Sequence, residues 1–137
     1  MSVCFVMKLL LQLDLNPWAT RSFEKPLLML AKTMDANMIT ADAGPECEAN
    51  TLALISRLVE EAENIGLIVI AEQTSELGAC SGLLHQLLKE HEKVQFVLLN
   101  GEHTIAQKML MILKARTHEN LSNADQEKLI TDFAANK

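Results

Sequence analysis

Two short, densely apolar stretches of the chain end abruptly in polar residues, and a segment with helical spacing follows each of them. Residues 67–71 run into residues 72–75, and residues 94–99 run into residues 100–103. An apolar run, a polar corner and an amphipathic helix are typical of a parallel β-α-β unit. The pattern therefore predicts a parallel sheet whose polar corners gather at one edge, where open α/β folds place their ligands.

The same alternation continues along the rest of the chain. Residues 3–13 are almost wholly apolar and predict a buried strand that ends near Asp14, and residues 37–40 form a weaker strand candidate. Pro26 suits the first turn of a helix, because its missing N–H has no helical partner there. Helical stripes comprise Leu27, Leu30 and Met34; Leu52, Ile55 and Val59; Leu77, Leu84 and Leu87; Ile105, Met109, Ile112 and Leu113; and Leu129, Ile130 and Phe133.

Proline, glycine and small polar residues predict where these helices begin and end. Pro45 is expected to open the second helix and Gly66 to end it. Thr74 or Ser75 is expected to cap the amino end of the third helix. Gly78 and Gly82, inside that predicted helix, suggest a close approach to another backbone.

Residues 117–123 are polar and predict a connector without regular structure. Asn123 and Gln126 follow with the spacing of a capping box, in which two side chains satisfy free N–H groups at a helix start. The last segment is therefore expected to be a short terminal helix that begins at Asn123.

These elements predict one α/β domain over residues 1–137, with about four mostly parallel strands and helices on both faces of the sheet. The alternative is an all-α bundle, since Leu, Ala, Met and Glu dominate while Val is scarce. In the bundle, Val94, Leu98 and Ile105 would belong to one helical stripe. The helix-breaking Gly66 and the Asn100-Gly101 pair, each beside a dense apolar run, favour the α/β interpretation.

Charge and cysteine content narrow the classes of function. The 137 residues carry a net charge of −6 and no cluster of Lys or Arg, so neither nucleic acid nor an acidic membrane surface is an expected partner. Lys8 interrupts the apolar amino-terminal run, which argues against a signal peptide or a membrane span. Three cysteines without a CxxC pair suit a reducing compartment, and we expect a cytoplasmic protein.

Polar residues predicted at the carboxyl ends of the strands form the candidate site. His103 is expected to be solvent-exposed in the first turn of a helix, where a neutral imidazole can act as a base. Glu72 and Asp14 are its candidate acidic or orienting partners. The alternative is that such residues only form turns and helix caps. The candidate ligand-binding residues at the same edge are Asn100, Thr74, Ser75 and Glu102.

Motifs for cofactors and metals are not recognised in the sequence. There is no glycine-rich phosphate loop, no GxSxG elbow and no ExxH or HExxH spacing, so we expect neither cofactor nor metal. Cys80 lies near a predicted helix start, where a thiolate is stabilised, which suggests a sulfur-handling role. Its register with Leu77 and Leu84 instead predicts a buried thiol, with Cys47 the more exposed of the two.

Three functional hypotheses remain. The first is a non-catalytic protein-interaction or regulatory module that self-associates as a homo-oligomer, because catalytic motifs are missing while 49% of residues are apolar and seven are Met. The second is a small enzyme or a small-molecule-binding protein with its site at the carboxyl edge of the sheet. The third is a thiol-based protein that uses Cys80.

Overall fold

Five parallel strands form one sheet in the part of the chain that the computed structural model describes, residues 7–16, 25–72 and 75–135. Their order across the sheet is β2-β1-β3-β4-β5, and every neighbouring pair is parallel. The α/β prediction is confirmed and the helical bundle is wrong. The strands are β1 (Lys8–Asp14), β2 (Ile39–Ala43), β3 (Asn64–Ala71), β4 (Val94–Gly101) and β5 (Thr117–Glu119).

Helices connect the strands and follow the last one. No helix in the described ranges is long and apolar enough to cross a lipid bilayer. Two 3₁₀ helices, His91–Lys93 and Leu110–Arg116, lie just before β4 and β5. The α-helices are α1 (Pro26–Met34), α2 (Ala49–Glu61), α3 (Cys80–Lys89), α4 (Thr104–Met109) and α5 (Asn123–Ala135).

The helices cover both faces of the sheet and produce three layers. One face packs against α2, α3 and the Leu110–Arg116 helix, and the other packs against α1 and α5. Because successive strand residues point to opposite faces, both halves of each central strand are apolar. In β1, Leu9, Leu11 and Leu13 contribute to the first core and Leu10 to the second.

The core between the sheet and α5 explains the placement of Gly66. The ring of Phe96 in β4 packs edge-on against Phe133 in α5, with centroids 5.2 Å apart. A Cβ atom on Gly66 would lie 2.6 Å from that same Phe96 ring. The prediction that Gly66 ends a helix is therefore wrong, because Gly66 lies inside β3 where the neighbouring ring needs the space. Helix α2 already ends at Glu61, and the next residue is extended.

Two predicted helix starts are also shifted. Helix α2 begins at Ala49 rather than at Pro45, whose carbonyl accepts a hydrogen bond from the Ala79 N–H at 2.9 Å. Helix α3 begins at Cys80, too far along the chain for Ser75 to cap it. The expected close approach to another backbone is confirmed at Gly78, just before α3, where an added Cβ atom would lie 2.5 Å from the Pro45 carbonyl oxygen. It is wrong at Gly82, where an added Cβ atom would have no neighbouring atom within 4 Å.

The helical segment after β4 differs most from its predicted pattern. Helix α4 ends at Met109 and continues as a 3₁₀ helix, in which residues three apart share a face. Leu110 and Leu113 are therefore both buried, whereas Ile105 and Ile112 of the predicted apolar stripe are exposed. The predicted stripe assumed a period of 3.6 residues over the whole segment.

The predicted connector 117–123 contains β5, which pairs with β4 at the edge of the sheet. Helix α5 follows, and its cap is shifted by one residue from the predicted capping box. The Ser122 hydroxyl accepts from the Asp125 N–H at 3.2 Å, so Ser122 rather than Asn123 caps the helix. This leaves the Gln126 side chain available for another interaction.

Candidate functional site

A cleft of about 550 Å³ lies at the carboxyl edge of the sheet, on the face covered by α1 and α5. From β1 the chain passes to β2 on one side, and from β2 it returns to β3 on the other side of β1. Open parallel sheets bind ligands in the crevice where the strand order reverses in this way. The cleft is lined by Gln12, Asp14, Pro26, Leu27, Ile70, Asn100, Asn123, Gln126 and Glu127.

The strand register places three of these lining residues side by side. Asp14 in β1 is paired with Ile70 in β3, and Ile70 is paired with Asn100 in β4. Gln12 lies two residues before Asp14 and therefore projects from the same face. The polar ends of β1 and β4 thus flank an apolar side chain in the middle of the cleft floor.

Gln12 is the least expected residue of this floor. Only 4% of its surface is exposed, yet its side-chain amide makes no hydrogen bond with any described residue. Its polar atoms are not fully enclosed, because Oε2 of Glu90 is the one fully buried side-chain nitrogen or oxygen without a partner among the described residues, so the Gln12 amide keeps contact with the open cleft. The amide therefore presents two donors and one acceptor to whatever occupies the cleft.

Asp14 adds a carboxylate beside that amide. Its side chain is 6% exposed, and Oδ1 accepts from the Asn16 N–H at 3.0 Å. The second carboxylate oxygen has no hydrogen bond to the described residues. None of the described residues that line the cleft is Lys, Arg or His. Within the part of the chain that the structure describes, the carboxylate therefore faces the cleft without a neighbouring cation.

A chain of hydrogen bonds fixes the orientation of Asn100. Nε2 of Gln126 donates to the Leu121 carbonyl at 2.8 Å, and a carbonyl only accepts, so Oε1 of Gln126 must point the other way. Nδ2 of Asn100 donates to that oxygen at 3.1 Å. The acceptor Oδ1 of Asn100 and the second N–H of its Nδ2 make no hydrogen bond to the described residues and are left available to the cleft.

The remaining walls are apolar on one side and acidic on the other. Pro26 and Leu27, at the start of α1, form the apolar wall together with Ile70. Glu127, in the first turns of α5, contributes an exposed carboxylate at the rim. The volume falls within the range of about 300–1,000 Å³ that is typical of small-molecule pockets.

His103 lies outside this cleft and is only 2% exposed, so the prediction of an accessible imidazole is wrong. Nδ1 accepts from the Ala106 N–H at 3.1 Å, which caps α4. Nε2 lies 2.5 Å from the Ser75 carbonyl and donates to it, since the carbonyl has no proton to give. Both ring nitrogens are thus engaged in a neutral tautomer, and the assignment of His103 as a base stays a prediction.

The other predicted site residues are divided between two places. Asp14 and Asn100 meet in the cleft, as the parallel sheet leads one to expect. Ser75 lies beside His103, and its hydroxyl accepts from the Glu72 N–H at 3.0 Å. The exposed side chains of Glu72 and Glu102 do not line the cleft. Thr74 lies outside the described residues.

Most of the residues that line the cleft were not predicted from the sequence. Gln12 could have been recognised, because it is a polar residue inside a leucine run and shares a face with Asp14 two residues later. Gln126 was predicted only as part of a cap, and Glu127 was not singled out. Their contribution depends on how α5 packs against the sheet, which the local sequence does not contain.

Two free cysteines, Cys47 and Cys80, lie among the described residues. Cys80 is fully buried, which confirms the expectation from its leucine register. Cys47 is half-buried, and its sulfur accepts from the Gly44 N–H at 3.3 Å. Among the described residues, no group of three or more His, Cys, Asp or Glu side chains is placed to hold a metal ion.

Comparison of the chain with protein-family models, with curated protein sequences and with solved structures found no match. The geometry of the cleft and of the exposed surfaces is therefore the basis for assigning a function.

Proposed function

We propose that the protein binds a small polar molecule in the cleft at the carboxyl ends of β1, β3 and β4. The observation that carries this proposal is the buried amide of Gln12, which has no hydrogen-bond partner among the described residues. A ligand in the cleft can replace solvent at this amide with a direct hydrogen bond, in a position that the protein largely encloses. The available acceptor atoms of Asp14 and Asn100 face the same volume.

The surrounding structure supports a site that is formed before the ligand arrives. Asp14 and Asn100 lie at the ends of paired strands, and Gln126 holds the Asn100 amide in one orientation. Polar groups that are already oriented lose little conformational freedom on binding, which favours affinity. The apolar side chains of Leu27 and Ile70 add contact surface for the body of the ligand.

A panel of water-soluble metabolites, screened by thermal shift, tests this proposal. A compound that binds the folded state raises its melting temperature once its concentration exceeds Kd. We expect at least one hit, and we expect Gln12→Leu to lose the shift while remaining folded. Gln95→Leu is the matched control, because Gln95 is exposed at the opposite end of β4. A panel without hits, or hits that Gln12→Leu retains, would contradict the proposal.

We propose self-association as a second function, on the surface formed by α4 and the 3₁₀ helix after it. Ile105, Met111 and Ile112 on this surface are 59%, 63% and 61% exposed. Large exposed apolar side chains are frequent in contact surfaces between proteins, and two copies of one surface form a closed dimer when related by a two-fold axis.

The oligomeric state measured by light scattering tests this second function. We expect a dimer for the native chain and a monomer for Ile112→Lys. Met29→Lys is the control, because Met29 is similarly exposed but lies on α1, across the sheet. A native chain that stays monomeric at high concentration would contradict the proposed self-association.

A further inference from the structure

We infer that the ligand of the cleft is an organic cation, with a primary ammonium or guanidinium group attached to a short apolar body. This inference rests on the proposed binding function and concerns the chemistry of that same site. The juxtaposition that supports it is a buried carboxylate, a buried amide and an oriented carbonyl oxygen around one volume, supplied by Asp14, Gln12 and Asn100.

The charged groups among the described lining residues are both carboxylates, and the amides there offer acceptors as well as donors. Asp14 contributes a carboxylate oxygen, and Asn100 contributes Oδ1, which the hydrogen bond from its Nδ2 to Gln126 leaves available. The Gln12 amide turns its own oxygen toward a donor, since no bond to a described residue fixes its orientation. An ammonium group has three donors and a guanidinium five, and neither has an acceptor. Such a head group matches this set of atoms.

The charges of the described residues disfavour an anionic ligand. An anion in the cleft would lie against the Asp14 carboxylate, with Glu127 at the rim and no Lys, Arg or His among the described lining residues. Helix α5 begins beside the cleft, and a helix start by itself attracts anions. Here the Ser122 hydroxyl satisfies one of its free N–H groups, and Asp125 already places a negative charge in the first turn. The first turn of α5 therefore does not compensate for the carboxylates.

The apolar wall limits the rest of the ligand. Leu27 and Ile70 border the polar floor, so a chain of a few carbon atoms attached to the cation contacts them while the head group reaches Asp14. Burying such a body contributes about 0.8 kcal/mol for each CH₂ group removed from water. The cleft thus favours an amphipathic cation over a bare inorganic one.

Four compounds with the same butyl body separate charge from shape: butylguanidine, butylamine, butanol and butyrate. Titration of the native chain, followed by ¹H–¹⁵N NMR, gives Kd and the resonances that move. We expect the two cations to move the Gln12 and Asn100 resonances and to bind at least about tenfold more tightly than butanol, because hydrogen bonds to charged groups are the stronger ones. Butyrate is expected to leave these resonances unchanged.

Two isosteric variants identify the carboxylate that binds the cation. Asp14→Asn is expected to weaken butylguanidine binding about tenfold. Glu102→Gln removes the same charge from the same sheet edge but outside the cleft, so its Kd should equal that of the native chain. Glu127→Gln, at the exposed rim, is a second test if Asp14→Asn fails to fold, with an expected loss of about twofold to threefold.

The outcomes separate this inference from the binding function itself. Butanol or butyrate binding as tightly as the cations overturns the inference, and so does the failure of all four compounds to bind. A metabolite hit that carries no positive charge and requires Gln12 also overturns it, while the proposed binding function stands. Equal Kd values for Asp14→Asn and Glu102→Gln show that the cation, if bound, does not use the cleft carboxylate, which overturns the inference as well.

Discussion

Asn100, near the end of β4, and Gln126, in the first turn of α5, are joined by a side-chain hydrogen bond of 3.1 Å. Gln126 also donates to the Leu121 carbonyl, so it is a buried polar residue with both ends of its amide satisfied. Gln12, on the same cleft, is equally buried but makes no hydrogen bond to the described residues. The two glutamine side chains should therefore contribute differently to the free energy of unfolding.

Replacing each glutamine by leucine should change stability in opposite directions. Gln126→Leu leaves Nδ2 of Asn100 and the Leu121 carbonyl unpaired, and we expect it to lower the free energy of unfolding by about 1–3 kcal/mol. Gln12→Leu replaces an amide that makes no hydrogen bond to the described residues by an apolar side chain in a largely enclosed position, and we expect it to raise that free energy by about 1 kcal/mol. Urea denaturation measures both. A loss of stability in Gln12→Leu would show that the amide already has a partner in the free protein.

His103 is expected to contribute to stability as a cap. His103→Ala removes the acceptor for the Ala106 N–H and the donor to the Ser75 carbonyl, and we expect it to cost about 2 kcal/mol. His103→Asn keeps a good capping oxygen, so about half of that cost is expected. If urea denaturation shows the same loss of unfolding free energy for both variants, the cap does not contribute to stability.

Replacing either of two glycines by alanine should change the free energy of unfolding in opposite directions, because one site is tightly packed and the other is open. Gly66→Ala places a Cβ 2.6 Å from the Phe96 ring, and overpacking of this kind costs about 1–3 kcal/mol. Gly82 lies exposed inside α3 with open space around it, so Gly82→Ala should raise the free energy of unfolding by about 0.5–1 kcal/mol. Thermal unfolding of the two variants checks both signs. A stable Gly66→Ala variant would mean that the Phe96 ring moves freely.

The cysteines should differ in their rate of alkylation in the native state. Cys80 is fully buried and Cys47 is half-buried, so iodoacetamide should label Cys47 well before Cys80. Mass spectrometry of proteolytic peptides resolves the two sites. If Cys80 reacts first at neutral pH, it is accessible at the start of α3, and the sulfur-handling hypothesis becomes the leading one.

Much of the architecture could be predicted from local patterns. The apolar runs before Glu72 and Asn100 are dense because both faces of β3 and β4 are buried, and the polar residues after them mark the carboxyl ends of the strands. The parallel arrangement, in turn, predicts that Asp14 and Asn100 lie at one edge. Cys80 was assigned to the core by the same reasoning, because its register with leucines reflects a helix face directed at the sheet.

The tertiary structure decided everything that depends on distant neighbours. Gly66 resembles a helix stop in isolation, yet it belongs to β3 because the Phe96 ring from another strand fills its side-chain space. His103 resembles an accessible base, yet Ser75, from the preceding connection, covers it. A local pattern records whether a residue is apolar and which face it occupies. Among the described residues, the Gln126 side chain finds hydrogen-bond partners and the Gln12 side chain does not, and this difference depends on elements that only folding brings together.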